Sequence, residues 1–382
     1  MDYFLTEEQQ MIVDTARQFA DEKIIPHRAE LDEKHQFPRE ILNQMAQADL
    51  FGVPIPEAYG GFGGGCLEIV LTVEQLGRGC IGVGTAFAAN FLGVYPIIIA
   101  GSEAMKEKYL PDIATGKKFG AFGLTEANAG SDASGIQTTA VLDGDEWVLN
   151  GTKQWITNGG EAQIYSVVAI TDRSRGPRGA SIFVVEEGDP GFSCGPKEKK
   201  MGIRASSTTE LIFKDCRIPA DRLVGRQGTG FITVMKTLDL SRPGIGALGV
   251  GLAQGALDEA ARYAKQRQQF GKPIIAFQAV QHLLADMAIG VESARALVYA
   301  AARHIQEHPK DMSKASAMCK TYATDVAMKV ATDAVQVMGG YGYMCEYPVE
   351  KMMRDAKILQ IYEGTNQIQR NVIGQEINKE YS

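Results

Sequence analysis

Glu363 stands between a tyrosine and a glycine in the stretch IYEGTNQIQR, residues 361–370. Beyond it, Ile368, Val372, Ile373 and Ile377 recur at helical spacing, so a helix starts near Thr365, a residue type suited to the N-cap. A carboxylate at that place has two readings. It complements the positive end of the helix dipole, or it is a base held over something that must lose a proton. Ile361 and Tyr362 argue for burial, and Gly364 removes a side chain where something could approach closely. Burial raises a carboxyl pKa and a helix start lowers it, a combination that tunes a general base.

Further stretches carry candidate ligand groups. GLTEANAGSDASG, 123–135, follows Phe122 and brings Leu124, Thr125 and Ser131 into a loop of small residues whose amides and hydroxyls suit a polar ligand, or simply connect two elements. KQWITNGG, 153–160, places Trp155 and Thr157 two positions apart. The indole is either the core ring of a small β domain or a flat wall for a planar cofactor. In LDLSRPG, Asp239 and Arg242 share a helix face, as a surface ion pair or as an arm that orients a ligand. QRQQFGKPI and DAVQVMGGYGY bring Arg267, Phe270, Gln336, Gly339 and Gly340, where glycines permit close approach and Arg267 would meet an anion. Six scattered cysteines form no C-x-x-C pair and no cluster with histidine at zinc spacing, so reduced thiols and no metal site are expected.

Three segments must position these groups: a helical one over 1–120, a β-rich one over 121–230, and a helical one over 231–382. The first opens with a capping box, Thr6 and Gln9, and contains RGCIGVGTAFAANFLGVYPIIIAG, apolar on nearly every face and hence a buried helix. AYGGFGGGC reads as a flexible loop. In the middle segment, Asp143-Gly144 and Asn150-Gly151 mark turns between short strands. In the last, Val280, Leu284, Met287, Val291, Ala294, Val298, Ala301 and Ile305 alternate steps of four and three, the seam of a helical bundle. The fold class is therefore mainly α with an inserted β domain. A net charge of −7 argues against nucleic-acid binding. The start, MDYFLTEEQQ, has no signal or transit pattern, and the longest apolar runs look too short to span a bilayer, so a soluble, cytoplasmic protein is expected.

Together and in this order, YPIIIAG, KQWITNGG, QRQQFGKPI, YPVEKMMRDAKI and IYEGTNQIQR resemble the acyl-CoA dehydrogenase family over essentially the whole chain, with medium- and short-chain members nearest. The resemblance implies an N-terminal helical domain, a middle β-barrel, a C-terminal four-helix bundle, a homotetramer and FAD as cofactor. It implies α,β-dehydrogenation of an acyl-CoA thioester: Glu363 takes the α-proton, flavin N5 accepts the β-hydride, and the Glu363 amide polarises the carbonyl. It places Phe122, Leu124, Thr125, Ser131, Trp155, Thr157, Thr365 and Gln367 at the flavin. Arg267, Phe270, Gln336, Gly339 and Gly340 of a neighbouring subunit would meet its adenosine diphosphate half. Ser131, Asp239 and Arg242 would hold the CoA moiety, and Ala88, Phe91, Tyr362 and Gly364 would shape the acyl site. Electron-transfer flavoprotein is the implied acceptor, with no nucleic-acid or membrane partner.

Some relatives carry the base immediately before the arginine matching Arg242, where this chain has Ser241, which cannot serve as a carboxylate base. Ala127 and Asn128 replace the usual Pro-Gly of the flavin loop, and asparagine still tolerates a left-handed turn. Ala88 replaces an acidic residue and Phe91 a small one. These changes point to a short, branched or alicyclic acyl group, with a straight medium chain as the alternative. An oxygen-using flavoenzyme and a DNA-associated, non-catalytic relative are the other readings.

Overall fold

The structure is a computed structural model that describes residues 3–382. Its first third holds α1 (Glu7–Phe19), α2 (Arg28–Glu33), α3 (Arg39–Gln47), α4 (Cys66–Gly79), α5 (Ile81–Ala100) and α6 (Glu103–Ala114). The capping box forms: Gln9 N–H donates to Thr6 Oγ1 at 3.2 Å, and Thr6 N–H donates to Gln9 Oε1 at 3.1 Å. Two otherwise unpaired donors are satisfied by one residue pair.

The apolar helix is α5. At 20 residues it is long and apolar enough to cross a bilayer, which overturns the expectation that no apolar run reaches that length. Its most apolar window is 67% buried within the chain, packed among α4, β1 (Gly120–Gly123) and α7 (Gly230–Gln266), so it is a core helix. The glycine-rich loop ahead of α4 also departs from its reading as a flexible segment. Gly61 lies so close to Ile55 that a Cβ would stand 2.0 Å from the Ile55 carbonyl oxygen, and Gly64 N–H donates to Val53 O at 2.8 Å. Its glycines serve close packing rather than freedom.

The middle sheet continues with β2 (Thr139–Asp143), β3 (Glu146–Thr157), β4 (Ile164–Ile170), β5 (Ala180–Glu186), β6 (Phe192–Cys194), β7 (Thr208–Pro219) and β8 (Leu223–Val224). Its order is β6-β7-β3-β2-β4-β5-β8, with β1 parallel to β4. Asp143-Gly144 turns the β2–β3 hairpin as expected. Asn150-Gly151 does not turn. It lies inside β3 at a bulge against β7, where Thr138 leaves no room for a side chain on Gly151. A second irregularity lies between Lys153 and Ile156 and re-aims Trp155 outward.

Helices return with α7. A ribbon of β9 (Gln268–Gln269) and β10 (Lys272–Pro273) follows, then α8 (Gln278–Glu307), α9 (Ser313–Met338), α10 (Pro348–Leu359) and α11 (Asn366–Glu380). The seam residues from Leu284 to Ile305 are buried in α8, and Val280 is partly buried. α7, α8, α10 and α11 all pack on α9, while α4 lies on α7 and joins the two helical layers. Glu363 sits between α10 and α11, against α7.

Candidate active site

Residues 360–365 connect α10 to α11, and the chain turns there through two left-handed residues, Glu363 with φ +52° and Gly364 with φ +90°. A left-handed glutamate costs on the order of 1–2 kcal/mol, so its surroundings must enforce it. They do. Arg242 Nε and Gln369 Nε2 each donate to Glu363 O at 3.1 Å. Lys320 Nζ donates to Gly364 O at 2.8 Å, and Gln369 Nε2 reaches the same oxygen at 3.2 Å. A Cβ on Gly364 would stand 2.4 Å from Gln369 Nε2, so this packing needs glycine. Thr365 caps α11, its hydroxyl oxygen accepting from Ile368 N–H at 3.2 Å.

The Glu363 carboxylate accepts a hydrogen bond from Ser241 Oγ at 2.5 Å. Burial pushes its pKa above the usual carboxylate range, and Ser241, Arg242 and Lys320 pull against that rise without cancelling it. The result is a proton acceptor of more than ordinary basicity. The backbone N–H of Glu363 donates to no protein carbonyl among the described residues, which leaves a donor beside the carboxylate.

Asp239 and Arg242 are not a surface pair. They are 7% and 5% exposed, bonded to each other at 2.8 Å, and Ser313 Oγ donates to the second Asp239 oxygen at 2.6 Å. Arg242, which also donates to Glu363 O, supports the base, and Asp239 steadies Arg242.

Across from Glu363 lies α5. Thr85 and Tyr362 hydroxyls stand 3.5 Å apart, and Ala88, Leu92 and Tyr95 continue that half-buried face. Tyr95 lies within electrostatic reach of Glu363. Phe91 does not belong to this face: it is 2% exposed, edge-on to Phe87 at 5.0 Å and tilted against Phe51. The expectation that Phe91 lines the acyl site is therefore corrected; it is a core ring whose volume is already filled by neighbours.

Trp155 resolves against the core alternative. It is 55% exposed with φ +58°, beside Thr157. The loop after β1 is fastened beneath it. Gln154 N–H donates to Thr125 O at 2.8 Å, and the fully buried Lys153 donates to Leu124 O at 3.0 Å and to Glu126 at 2.7 Å. Glu126 also accepts from the amides of Gln137 and Thr138. Thr125 and Thr157 spend no hydroxyl on a protein partner among the described residues. An exposed flat ring with two uncommitted hydroxyls fits the flavin head of FAD. Phe122 lies buried in β1, and Ser131 is exposed further along the loop. Asn158, at the end of β3, donates to Ala86 O at 2.9 Å and so ties this wall to α5 and the Glu363 site. Gln367 is exposed on the first turn of α11.

Arg267, Gly339 and Gly340 gather elsewhere, lining a cavity of about 410 Å³ with Tyr263, Ile274 and Tyr341. None of the residues around Glu363 or Trp155 lines it. Arg267 stands over the Tyr341 ring at 5.2 Å, and Gly339 has φ +60°. One cation among aromatic walls and bare backbone suits a phosphorylated, planar ligand. Gln336 is exposed on α9, and Phe270, 92% exposed, stands beyond the cavity on the ribbon.

The sequence reading missed Lys320 and Gln369, and it considered Ser241 only for what it cannot do. Lys320 carried a signal: it falls on the buried stripe of α9 with Ala317, Thr324 and Ala327, where a charge is out of place. Among the described residues no cluster could hold a metal, and all six cysteines are free.

Profiles of the acyl-CoA dehydrogenase N-terminal, middle and C-terminal domains match residues 6–117, 121–216 and 228–378. A short-chain-specific acyl-CoA dehydrogenase of Clostridium acetobutylicum is 46% identical over 99% of this chain and 100% of its own. Among solved structures, butyryl-CoA dehydrogenase from Megasphaera elsdenii superposes with a TM-score of 0.96 at 46% identity, covering 99% and 100% of the two chains. A chain in a study of the electron transferring flavoprotein of Acidaminococcus fermentans gives 0.96 at 50% identity, covering 99% of each. An acyl-CoA dehydrogenase complexed with FAD from Bacillus anthracis gives 0.93 at 36% identity, covering 99% of this chain and 68% of the other.

Proposed function

The chain belongs to the acyl-CoA dehydrogenase family and is an FAD-dependent enzyme, and from that premise we propose that Glu363 removes the α-proton of a short acyl-CoA to give the 2-enoyl-CoA. The observation that carries this reading is the half-buried glutamate itself, made more basic by desolvation and fixed through its own carbonyl. An α-C–H is too weakly acidic for a carboxylate unless the thioester carbonyl is polarised. The uncommitted Glu363 N–H stands ready to donate to that carbonyl. Ser241 and Arg242 hold the carboxylate and its backbone, while Tyr362 and α5 close the acyl side.

Bound FAD supplies the acceptor for the β-hydride. Trp155, Thr125 and Thr157, with Phe122, Leu124, Ser131, Thr365 and Gln367, would hold the flavin half. Arg267, Phe270, Gln336, Gly339 and Gly340 would meet the adenosine diphosphate of a neighbouring subunit's FAD, within the homotetramer proposed here. The lining of the Arg267 cavity, separate from the Glu363 and Trp155 residues, supports that division. Electron-transfer flavoprotein is the proposed acceptor, supported by the relative studied with that partner.

The acyl group is proposed to be short, and branched or alicyclic. Relatives named for short chains and butyryl-CoA support the length, and the small side chain of Ala88 on the half-buried α5 face supports a wide group. Flavin reduction by butyryl- or cyclohexanecarboxyl-CoA should exceed that by octanoyl-CoA by at least about tenfold in kcat/KM, since octanoyl is longer than butyryl by four methylenes and a misfit of even one costs about that much. A faster reaction with octanoyl-CoA would establish the straight medium-chain alternative instead. Ser241→Ala removes a donor that favours the ionised base. The acid limb of the kcat/KM profile should move to higher pH, with about a tenfold loss at neutral pH. An unmoved limb would show that this hydroxyl does not tune Glu363.

A further inference from the structure

Lys320 is fully buried on α9, and its Nζ bonds only to uncharged oxygens, Gly364 O at 2.8 Å and Asn366 Oδ1 at 2.8 Å. A buried ammonium is costly unless a counter-charge lies near. The foremost counter-charge here is Glu363, ahead of Asp325, which is itself bonded to Arg370 at 2.7 Å. The bonds alone do not require a cation, since a neutral amide donor would serve both oxygens.

We propose that Lys320 is a positioning residue for the proton-transfer step: it pins the left-handed turn that aims Glu363 and supplies charge that favours the ionised base. The inference rests on Glu363 being that base. Lys320 and Arg242 approach the turn from two different helices, α9 and α7, and grip successive carbonyls, Gly364 O and Glu363 O. The turn cannot relax without breaking one grip or the other. Burial lowers the Lys320 pKa to about 8, and Glu363 resists that fall, so the lysine remains charged at neutral pH. The groups facing Glu363 from other elements are Ser241 and Arg242 on α7, Tyr95 on α5 and Tyr362 in its own loop. Burial holds the Tyr95 phenol and the nearby Cys66 thiol far above neutrality, so neither supplies or removes charge there. Lys320 and Arg242 are then the two cations that oppose the effect of burial on Glu363.

The test is the pH profile of kcat/KM for wild-type holoenzyme and for Lys320→Met, Lys320→Gln and Lys320→Arg, scored per bound flavin, with Glu363→Gln alongside. Lys320→Met should raise the acid limb by about one pH unit and lower kcat at neutral pH about tenfold, leaving KM within about twofold. Lys320→Gln should recover stability but not the limb, and Lys320→Arg should recover the limb in part. A wild-type limb and kcat in Lys320→Met would overturn the proposal, as would a Lys320→Gln enzyme indistinguishable from wild type. Should Lys320→Met fail to fold, Lys320→Gln decides alone; its failure to fold would make the lysine a folding residue and also overturn the proposal. Wild-type activity in Glu363→Gln would instead remove the base assignment, whatever the lysine variants do.

Discussion

Glu363→Gln is expected to lower kcat by about four orders of magnitude, the upper range for a positioned general base, with little change in KM. Glutamine has the same shape, and its side-chain oxygen still accepts from Ser241, so the turn and the acyl site remain intact. The same substitution should make the protein more heat-stable. Because burial raises the Glu363 pKa on folding, this carboxyl favours the fold while protonated, and the contribution is lost as pH rises through its folded value. At neutral pH the partly desolvated charge is a cost that a neutral amide does not carry, and that cost exceeds the attraction lost to Lys320 and Arg242, since those cations do not cancel the rise in the Glu363 pKa. Activity and stability therefore move in opposite directions, as expected where a site is built for chemistry. Thermal melts at pH 7 beside steady-state rates check both signs.

Lys153→Met is expected to cost about 3–5 kcal/mol in stability and to yield protein depleted of flavin. The Lys153–Glu126 pair is 2.7 Å long, with side chains 0% and 9% exposed, and it fastens the loop that carries Thr125 against the strand that carries Trp155. Burial tends to raise the Glu126 pKa, yet Lys153 and the Thr138 and Gln137 amides together hold it below the usual range. Without the ammonium, Glu126 would be a buried charge with only backbone donors. Adding Glu126→Gln should then restore a large part of the lost stability, because the penalty comes from the stranded charge. Flavin-to-protein absorbance ratios and denaturant midpoints of the single and double variants measure both effects. A Lys153→Met protein with wild-type stability and full flavin would contradict the role given to the pair.

Local chemistry explains what was legible in the sequence. The Thr6–Gln9 box, the α8 seam and the cap at Thr365 depend on residues close in the chain, and each formed where its pattern lay. Trp155 and Asn150-Gly151 depended on distant partners. The backbone irregularities of β3 against β7 decide that the indole faces outward and that Gly151 lies within a strand. Phe91 was misplaced for the same reason, since α5 is apolar nearly all round and its sequence does not say which face meets Phe51. Glu363 was identifiable because its neighbours already signalled burial and close approach. The groups that hold it come from α7, α9 and α11, separated by more than a hundred residues in one case, and only the fold brings Ser241, Lys320 and Gln369 to one turn.

The most direct test of the proposed chemistry is anaerobic mixing of the holoenzyme with butyryl-CoA while the visible flavin absorbance is followed, wild type beside Glu363→Gln. The wild type should bleach within the dead time or shortly after, and the variant should bind the thioester with its absorbance retained. Equal bleaching of both would show that some other group takes the α-proton.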